Sequence, residues 1–361
     1  MGLPKLEMNF EQLSRTVAQR SARGVVALLL EDDTQGGPAL AAYTAAADLP
    51  ATGAWTADSL RAIAWTLESG AAKALAVRVL KTGDTPAADY EATLESVKSL
   101  AWNWAAAPDA SAENVAKVAA WVKAARARGG LFKAVLGGAT APDCEGVVNL
   151  TTTGIQTRYF GQTETLTPGR YTPRVAGVLA GLPLTRSVTG YVFDDIVAAD
   201  ASSTPDEDID KGEFLFVFNG QAYEAARGVT SLVETEGVPA LFRKIKHVEG
   251  ADMIAADIAA LWRAGYKGLK VNNYANKQSL CAEINAYLGG LAGSVLSADY
   301  PNAAQVDAEA QRAYLKGKGV DVEDLDDMAL LKANTGETVF IRMALQLIDA
   351  MEDLEMTVEL D

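Results

Sequence analysis

From Gly24 onward, short apolar runs alternate with segments patterned at helical spacing, and that alternation restricts the fold more than any other feature of the chain. Val25–Leu30 is an unbroken apolar run closed by Glu31, Asp32 and Asp33, the pattern of a strand covered on both faces. Residues 57–69 place Leu60, Ile63, Ala64 and Leu67 on one helical face. Residues 74–80 read as a second buried strand, 90–99 as a helix and 100–104 as a third strand. A long helix over 112–128 turns Val115, Val118, Ala119 and Val122 to one side and stops at Gly129-Gly130, with strands at 132–136 and 146–150 to follow. Strands and helices at this spacing imply βαβ crossovers, hence a mainly parallel, doubly wound α/β domain over residues 24–200.

The second half reads differently. Residues 200–210 are acidic and contain Ser202-Ser203-Thr204-Pro205, which marks an exposed boundary. Residues 214–218 and 221–227 flank Asn219-Gly220, a pair suited to a type I′ hairpin turn. Helices are expected at about 251–264, 277–291, 306–318 and 324–333, and strands at 338–347 and 354–360, giving an α+β domain.

Both ends of the chain carry a strand pattern with no obvious partner. Leu6, Met8 and Phe10 alternate with Lys5, Glu7 and Asn9, while Leu354, Met356, Val358 and Leu360 alternate with Glu355, Thr357 and Glu359. A strand pattern at a terminus implies pairing with a sheet, its own or a neighbour's. The ends differ in sign. Residues 349–361 hold Asp349, Glu352, Asp353, Glu355, Glu359 and Asp361 with no Lys or Arg, whereas Lys5, Arg15, Arg20 and Arg23 stand against Glu7 and Glu11 at the start. Charge of this kind sets approach rate and register, with Glu355 and Glu359 the acidic side of the expected pairing.

Composition excludes several classes of function. With 361 residues, 49% hydrophobic and 22% charged, the chain is an ordinary globular one, and a net charge of -15 argues against binding nucleic acid. No apolar run is long enough to span a membrane and no signal-peptide core is present, so synthesis in the cytoplasm, with release by lysis if any, is expected. His247 is the sole histidine, which removes histidine triads and two-histidine metal sites. Cys144 and Cys281 read as buried, reduced residues. Asp206, Asp208 and Asp210 begin like a calcium loop, but Lys211 and Val217 occupy the positions that need glycine and glutamate. Glu323, Asp324, Asp326 and Asp327 suit a helix start. No catalytic, cofactor-binding or metal-binding residue is assigned, although an α/β enzyme using acids, Lys or Tyr stays open on the residues alone.

Several stretches resemble sheath proteins of contractile phage tails, closest in type to those of PBSX-like defective prophages and diffocin-like contractile bacteriocins. They are Leu3-Pro4-Lys5-Leu6-Glu7-Met8-Asn9-Phe10 with Arg20-Ser21-Ala22-Arg23-Gly24-Val25-Val26-Ala27; Pro173-Arg174-Val175-Ala176-Gly177-Val178-Leu179-Ala180-Gly181-Leu182-Pro183-Leu184; Ala226-Arg227-Gly228-Val229-Thr230-Ser231-Leu232; Ala333-Asn334-Thr335-Gly336; and Asp349-Ala350-Met351-Glu352-Asp353-Leu354. The resemblance implies a structural protein that stacks as hexameric rings around a tail tube and contracts to drive the tube through a target envelope. It implies self-association, with tail tube, baseplate and tail terminator proteins as further partners, and neither nucleic-acid binding nor membrane insertion. It also implies a linking arm at 1–23, a subtilisin-like outer α/β domain at 24–200, a C-terminal sheath domain at 201–348 and a second arm at 349–361, the arms adding strands to sheets of neighbouring copies. Arg312 and Lys316, four residues apart on the helix expected at 306–318, become candidates for the tube contact.

Overall fold

The buried run at Val25–Leu30 becomes β1, an interior strand of a seven-stranded sheet in a computed structural model that describes residues 23–51, 53–82, 87–159, 162–323 and 325–359. In chain order the next elements are β2 (Leu40–Tyr43), α1 (Ala57–Glu68), β3 (Lys73–Arg78), a β4–β5 hairpin (Leu80–Thr82, Ala87–Asp89), α2 (Tyr90–Val97), β6 (Trp104–Ala106), α3 (Ala112–Ala127), β7 (Lys133–Gly137) and β8 (Val147–Leu150). β1 lies parallel to β3 on one side, Val25 opposite Lys73, and to β6 on the other, Val26 opposite Trp104. β7 and β8 extend the parallel set, and β2 closes the far edge antiparallel to β3. Alternate residues of β1 serve two cores: Val26, Leu28 and Leu30 pack with Ile63, Trp65 and Tyr171, and Val25, Ala27 and Leu29 with Tyr90, Leu94, Val118 and Val122. Helices therefore cover both faces, which is why the strand is apolar throughout.

Side-chain caps fix where these helices start. Thr56, Asp89 and Ser111 accept from Ser59 N, Ala92 N and Asn114 N at the heads of α1, α2 and α3. Asp32, just past β1, is buried and accepts from Thr34 N (3.0 Å), Thr56 N (2.8 Å) and Thr56 Oγ1 (2.9 Å). Burial would raise its pKa, but these bonds and Ser59 hold it well below the usual carboxylate range.

The third strand starts at Trp104, not at Leu100. Leu100 N–H closes back onto Val97 O, and Trp102 donates its indole N–H to the same carbonyl while stacking on Trp121 and lying tilted against Phe132. After β8 come an antiparallel group of β9 (Ile155–Tyr159), β10 (Gln162–Leu166) and, past α4 (Pro168–Gly181), β11 (Ile196–Ala198). α4 packs closely against α1 because Gly177 carries no side chain; a Cβ there would sit 2.4 Å from Thr66 O.

The acidic stretch at 200–210 does not end this body. It holds a short helix, α5 (Pro205–Asp210), and then β12 (Glu213–Phe214) joins the main sheet parallel to β8, with Phe214 opposite Leu150. The expected hairpin follows as β13 (Phe216–Phe218) and β14 (Tyr223–Ala225), without a type I′ turn. Asn219 N–H bonds Ala222 O, Asn219 Oδ1 accepts from Gln221 N and Ala222 N, and Gly220 alone of the pair has positive φ.

Two compact units divide the chain elsewhere than at residue 200. The described residues up to Asp252, together with those from Leu347, make the larger, and Met253–Gln346 the smaller. Helix α6 (Ile245–Gly265) contributes residues to each. The smaller unit also holds α7 (Tyr274–Gly289), β15 (Ala303–Val306), α8 (Ala308–Gly317), α9 (Asp327–Lys332) and β16 (Ile341–Ala344). Lys277 is buried there, its ammonium donating to Gln311 Oε1 (2.5 Å) and Thr335 Oγ1 (3.2 Å), which gives the Ala333-Asn334-Thr335-Gly336 stretch a structural task. Burial lowers its pKa.

Candidate functional site

The last described segment is fixed to the larger unit by a set of ionic contacts and then released. Lys246 at the start of α6 donates to Ile348 O (2.6 Å), and Lys244 pairs with Asp349. Arg227 holds two consecutive acids, Glu352 through Nη1 (3.0 Å) and Asp353 through Nη2 (2.5 Å). Thr189 Oγ1 donates to the other oxygen of Glu352 at 2.8 Å and accepts from Gly228 N at 2.9 Å. Gly228 permits this approach, because a Cβ there would lie 2.9 Å from Val188 Cγ1. Two stretches singled out in the sequence, 226–232 and 349–354, thus face each other across one clamp. Burial would raise the pKa of Asp349, but its bonds to Lys244 and Ala350 N–H and the charge of Lys244 together outweigh that and lower it.

Beyond Asp353 no further hydrogen bond or ion pair is formed among the described residues. Leu354, Met356 and Val358 are 82%, 71% and 67% exposed. The strand expected at 354–360 is not formed over its described part, 354–359, since period-2 alternation supplies a face but no partner for the backbone. Glu355 and Glu359 are exposed too, without a salt bridge among the described residues. Leu6, Met8, Phe10, Lys5, Arg15, Arg20 and Leu360 lie outside the described residues. Arg23, expected to pair with the acidic end, is instead paired with Glu249 of α6.

In the smaller unit, β15 and β16 form a two-stranded antiparallel sheet with Ala303 opposite Ala344 and Val306 opposite Ile341. Ala304 and Val306 are buried on the face packed against α7, while Arg342, Met343 and Ala344 are exposed. A sheet of two strands is marginal by itself and leaves two edges for further pairing.

A family model for the phage tail sheath C-terminal domain matches residues 238–361, which include α6, the small sheet and the clamped segment. The tail sheath protein of Clostridium phage phiCD119 is 30% identical over 367 residues, covering 99% of both chains. The chain belongs to the tail sheath protein family. Solved folds agree. The sheath tail protein of Desulfitobacterium hafniense superposes with a TM-score of 0.68 at 18% identity, over 84% of this chain and 94% of that one. The helical sheath of the anti-feeding prophage in its contracted state gives 0.67 at 12% identity, over the full length of both. As a tail sheath protein of contractile injection systems, the chain is a structural component and not an enzyme.

The remaining residues of interest in this sheath protein are not members of the clamp. Arg312 and Lys316 both lie on α8, but Arg312 donates to Val322 O (3.1 Å) and only Lys316 is exposed. Sequence reasoning missed a buried ionic cluster in the larger unit. Lys133 of β7 contacts Asp252 Oδ2 (2.7 Å) and Glu249 Oε1 (3.1 Å), and Arg126 holds both oxygens of Asp252 (2.9 and 3.0 Å) as well as Glu145 (2.6 Å). A lysine inside the apolar run 132–136 was the available signal.

Proposed function

We propose that this sheath protein polymerises as stacked hexameric rings around a tail tube and contracts to drive the tube through a target envelope, its terminal strands pairing with sheets in neighbouring copies. One observation carries the reading: the chain is clamped as far as Asp353, and the alternating segment immediately after it exposes Leu354, Met356 and Val358 to solvent. Burying those three side chains in a neighbour contributes roughly 5 to 8 kcal/mol gross, before ordering costs. The two-stranded sheet of the smaller unit supplies unpaired edges of the kind that strand addition uses. In this reading the parallel-sheet unit is the outer, subtilisin-like, doubly wound domain and the C-terminal region faces the tube. Baseplate and tail terminator proteins bound the ends of the sheath within a virion or phage-like particle made in the host cytoplasm and released by lysis.

The test removes residues 354–361. Among the described residues, 354–359 are exposed and belong to neither core, so the truncated chain is expected to keep the circular dichroism and unfolding midpoint of the full chain while remaining as discrete particles in electron micrographs. Tubes of normal length from the truncated chain overturn the reading.

A further inference from the structure

Leu269 and Val271, in the loop between α6 and α7, are 66% and 70% exposed, and the loop that presents them is ordered by its own hydrogen bonds. Lys267 N–H bonds Trp262 O, and the N–H groups of Leu269 and Lys270 both bond Tyr266 O. Asn272 Nδ2 lies within hydrogen-bond distance of Gly336 O (2.7 Å), Thr335 Oγ1 (3.1 Å) and Thr338 O (3.1 Å), while Asn276 Nδ2 donates to Val271 O (2.8 Å). The two aliphatic side chains are therefore held out into solvent by a fixed backbone. Apolar side chains displayed beside polar ones are the pattern of a protein contact surface, and a fixed backbone lowers the ordering cost of making the contact. The same stretch carries Arg263, Lys267 and Lys270, all exposed and in no salt bridge among the described residues, and 263–273 contain no Asp or Glu.

The same unit holds a surface of the opposite kind. Val320 and Met328 are exposed, and the sequence between them includes Asp321, Glu323, Asp326 and Asp327 with no Lys or Arg. Asp321 and Asp326 serve the local backbone, accepting from Glu323 N (3.1 Å) and Ala329 N (2.6 Å). The exposed carboxylates of Glu323 and Asp327 make no hydrogen bond or salt bridge among the described residues. One copy thus carries a basic apolar surface and an acidic apolar surface that do not neutralise each other within it. Joining unlike surfaces of identical chains is heterologous association, which repeats from copy to copy and generates rings or helices. Like charges brought together in any other register repel, so the pairing also selects one register. Resting on self-association but not on strand addition, we propose that the α6–α7 loop of one copy docks on the 320–328 segment of a second copy. Leu269 and Val271 then meet Val320 and Met328, and Lys267 and Lys270 face Glu323 and Asp327.

Charge reversal in the full-length chain tests this, with assembly read by sedimentation and electron microscopy. One variant carries Lys267→Glu with Lys270→Glu, the other Glu323→Lys with Asp327→Lys. All four side chains are exposed, so both variants are expected to keep the parent's thermal melting. Alone, each sets like charges across the contact and is expected to pellet about tenfold less assembled material than the parent in low salt. Mixed in equal amounts, the two variants offer each acidic loop a basic partner and each basic loop an acidic one, and the mixture is expected to assemble as the parent does. The loss is expected to shrink in about 1 M salt, where the screening length is about 3 Å. Parent-like assembly of either variant alone overturns the contact and leaves strand addition standing, since that is tested by removing residues 354–361. Failure of the mixture to recover overturns the pairing of these two surfaces. A loss seen only for sheath loaded on tail tubes, with empty sheath unaffected, assigns the loop to the tube and overturns the proposal. Leu269→Ser with Val271→Ser leaves the charges in place and is expected to lower assembly too; parent-like pelleting of this variant overturns the docking of the two apolar pairs.

Discussion

Lys133 is wholly enclosed between two acids of α6, and its cluster shows how much one residue can hold. Burial alone would raise the pKa of Asp252, but the charge of Lys133 and the paired bonds from Arg126 lower it. Asp252→Asn leaves two buried cations short of a counter-charge and is expected to cost about 3 to 5 kcal/mol. Urea unfolding measures this, and a midpoint unchanged from the parent contradicts it. His247, beneath the clamp, behaves differently. Its imidazole is buried, neither ring nitrogen closes a full hydrogen bond, and Nε2 lies 3.7 Å from Asp349. Burial lowers its pKa below 6.5, Asp349 offsetting part of this while Lys244 and Lys246 add to it. The folded state then binds fewer protons than the unfolded one, so this stability is full above 6.5 and is lost as pH falls toward the depressed value. His247→Gln is expected to flatten the decline in melting temperature between about pH 7 and pH 5. Parallel profiles for the two proteins count against it.

At the scale of elements, the segment after the clamp makes the sharpest prediction. Met356→Lys or Val358→Lys puts a charge on the face expected to be buried in a neighbour, at a cost of a few kcal/mol per joint, while Glu355→Lys and Glu359→Lys act on the other face and are milder. Sedimentation of assembled material distinguishes the two, and equal tolerance of both faces refutes the register. Elements whose signal is local were legible beforehand: β1 from its unbroken apolar run, α1 from spacing, and α3 from spacing and the glycines that end it. Those defined by distant pairing were not. β12 is two residues long and exists through its bonds to β8, and α4 carries Pro168, Gly169, Pro173 and Gly177, residues that read as breakers until its packing against α1 is seen. The alternation at 354–360 was visible, but not the clamp before it, because Arg227 and Glu352 are 125 positions apart and ion pairing has no period.

For the molecule as a whole, the grip on a tail tube remains a proposal with a direct test. Arg312 is engaged with Val322 O, so Lys316→Glu alone probes α8 without loosening the fold. If this helix grips the tube, the change reduces sheath loaded on tubes relative to empty sheath in low salt, where surface charge counts most. Unaltered loading removes α8 from the contact. The clamp has a mechanical meaning as well. Its hold ends at Asp353 and the strand pattern begins at Leu354, so in the proposed pairing the stretch to Glu359, about 20 Å when extended, would be consumed by the pairing itself. Almost no slack is left between body and strand. A tie of that kind would be a swivel and not a leash: under the proposed strand addition, copies would turn about the bonds at Asp353 and Leu354 without drifting apart, and a rotation imposed on one would be handed to the next.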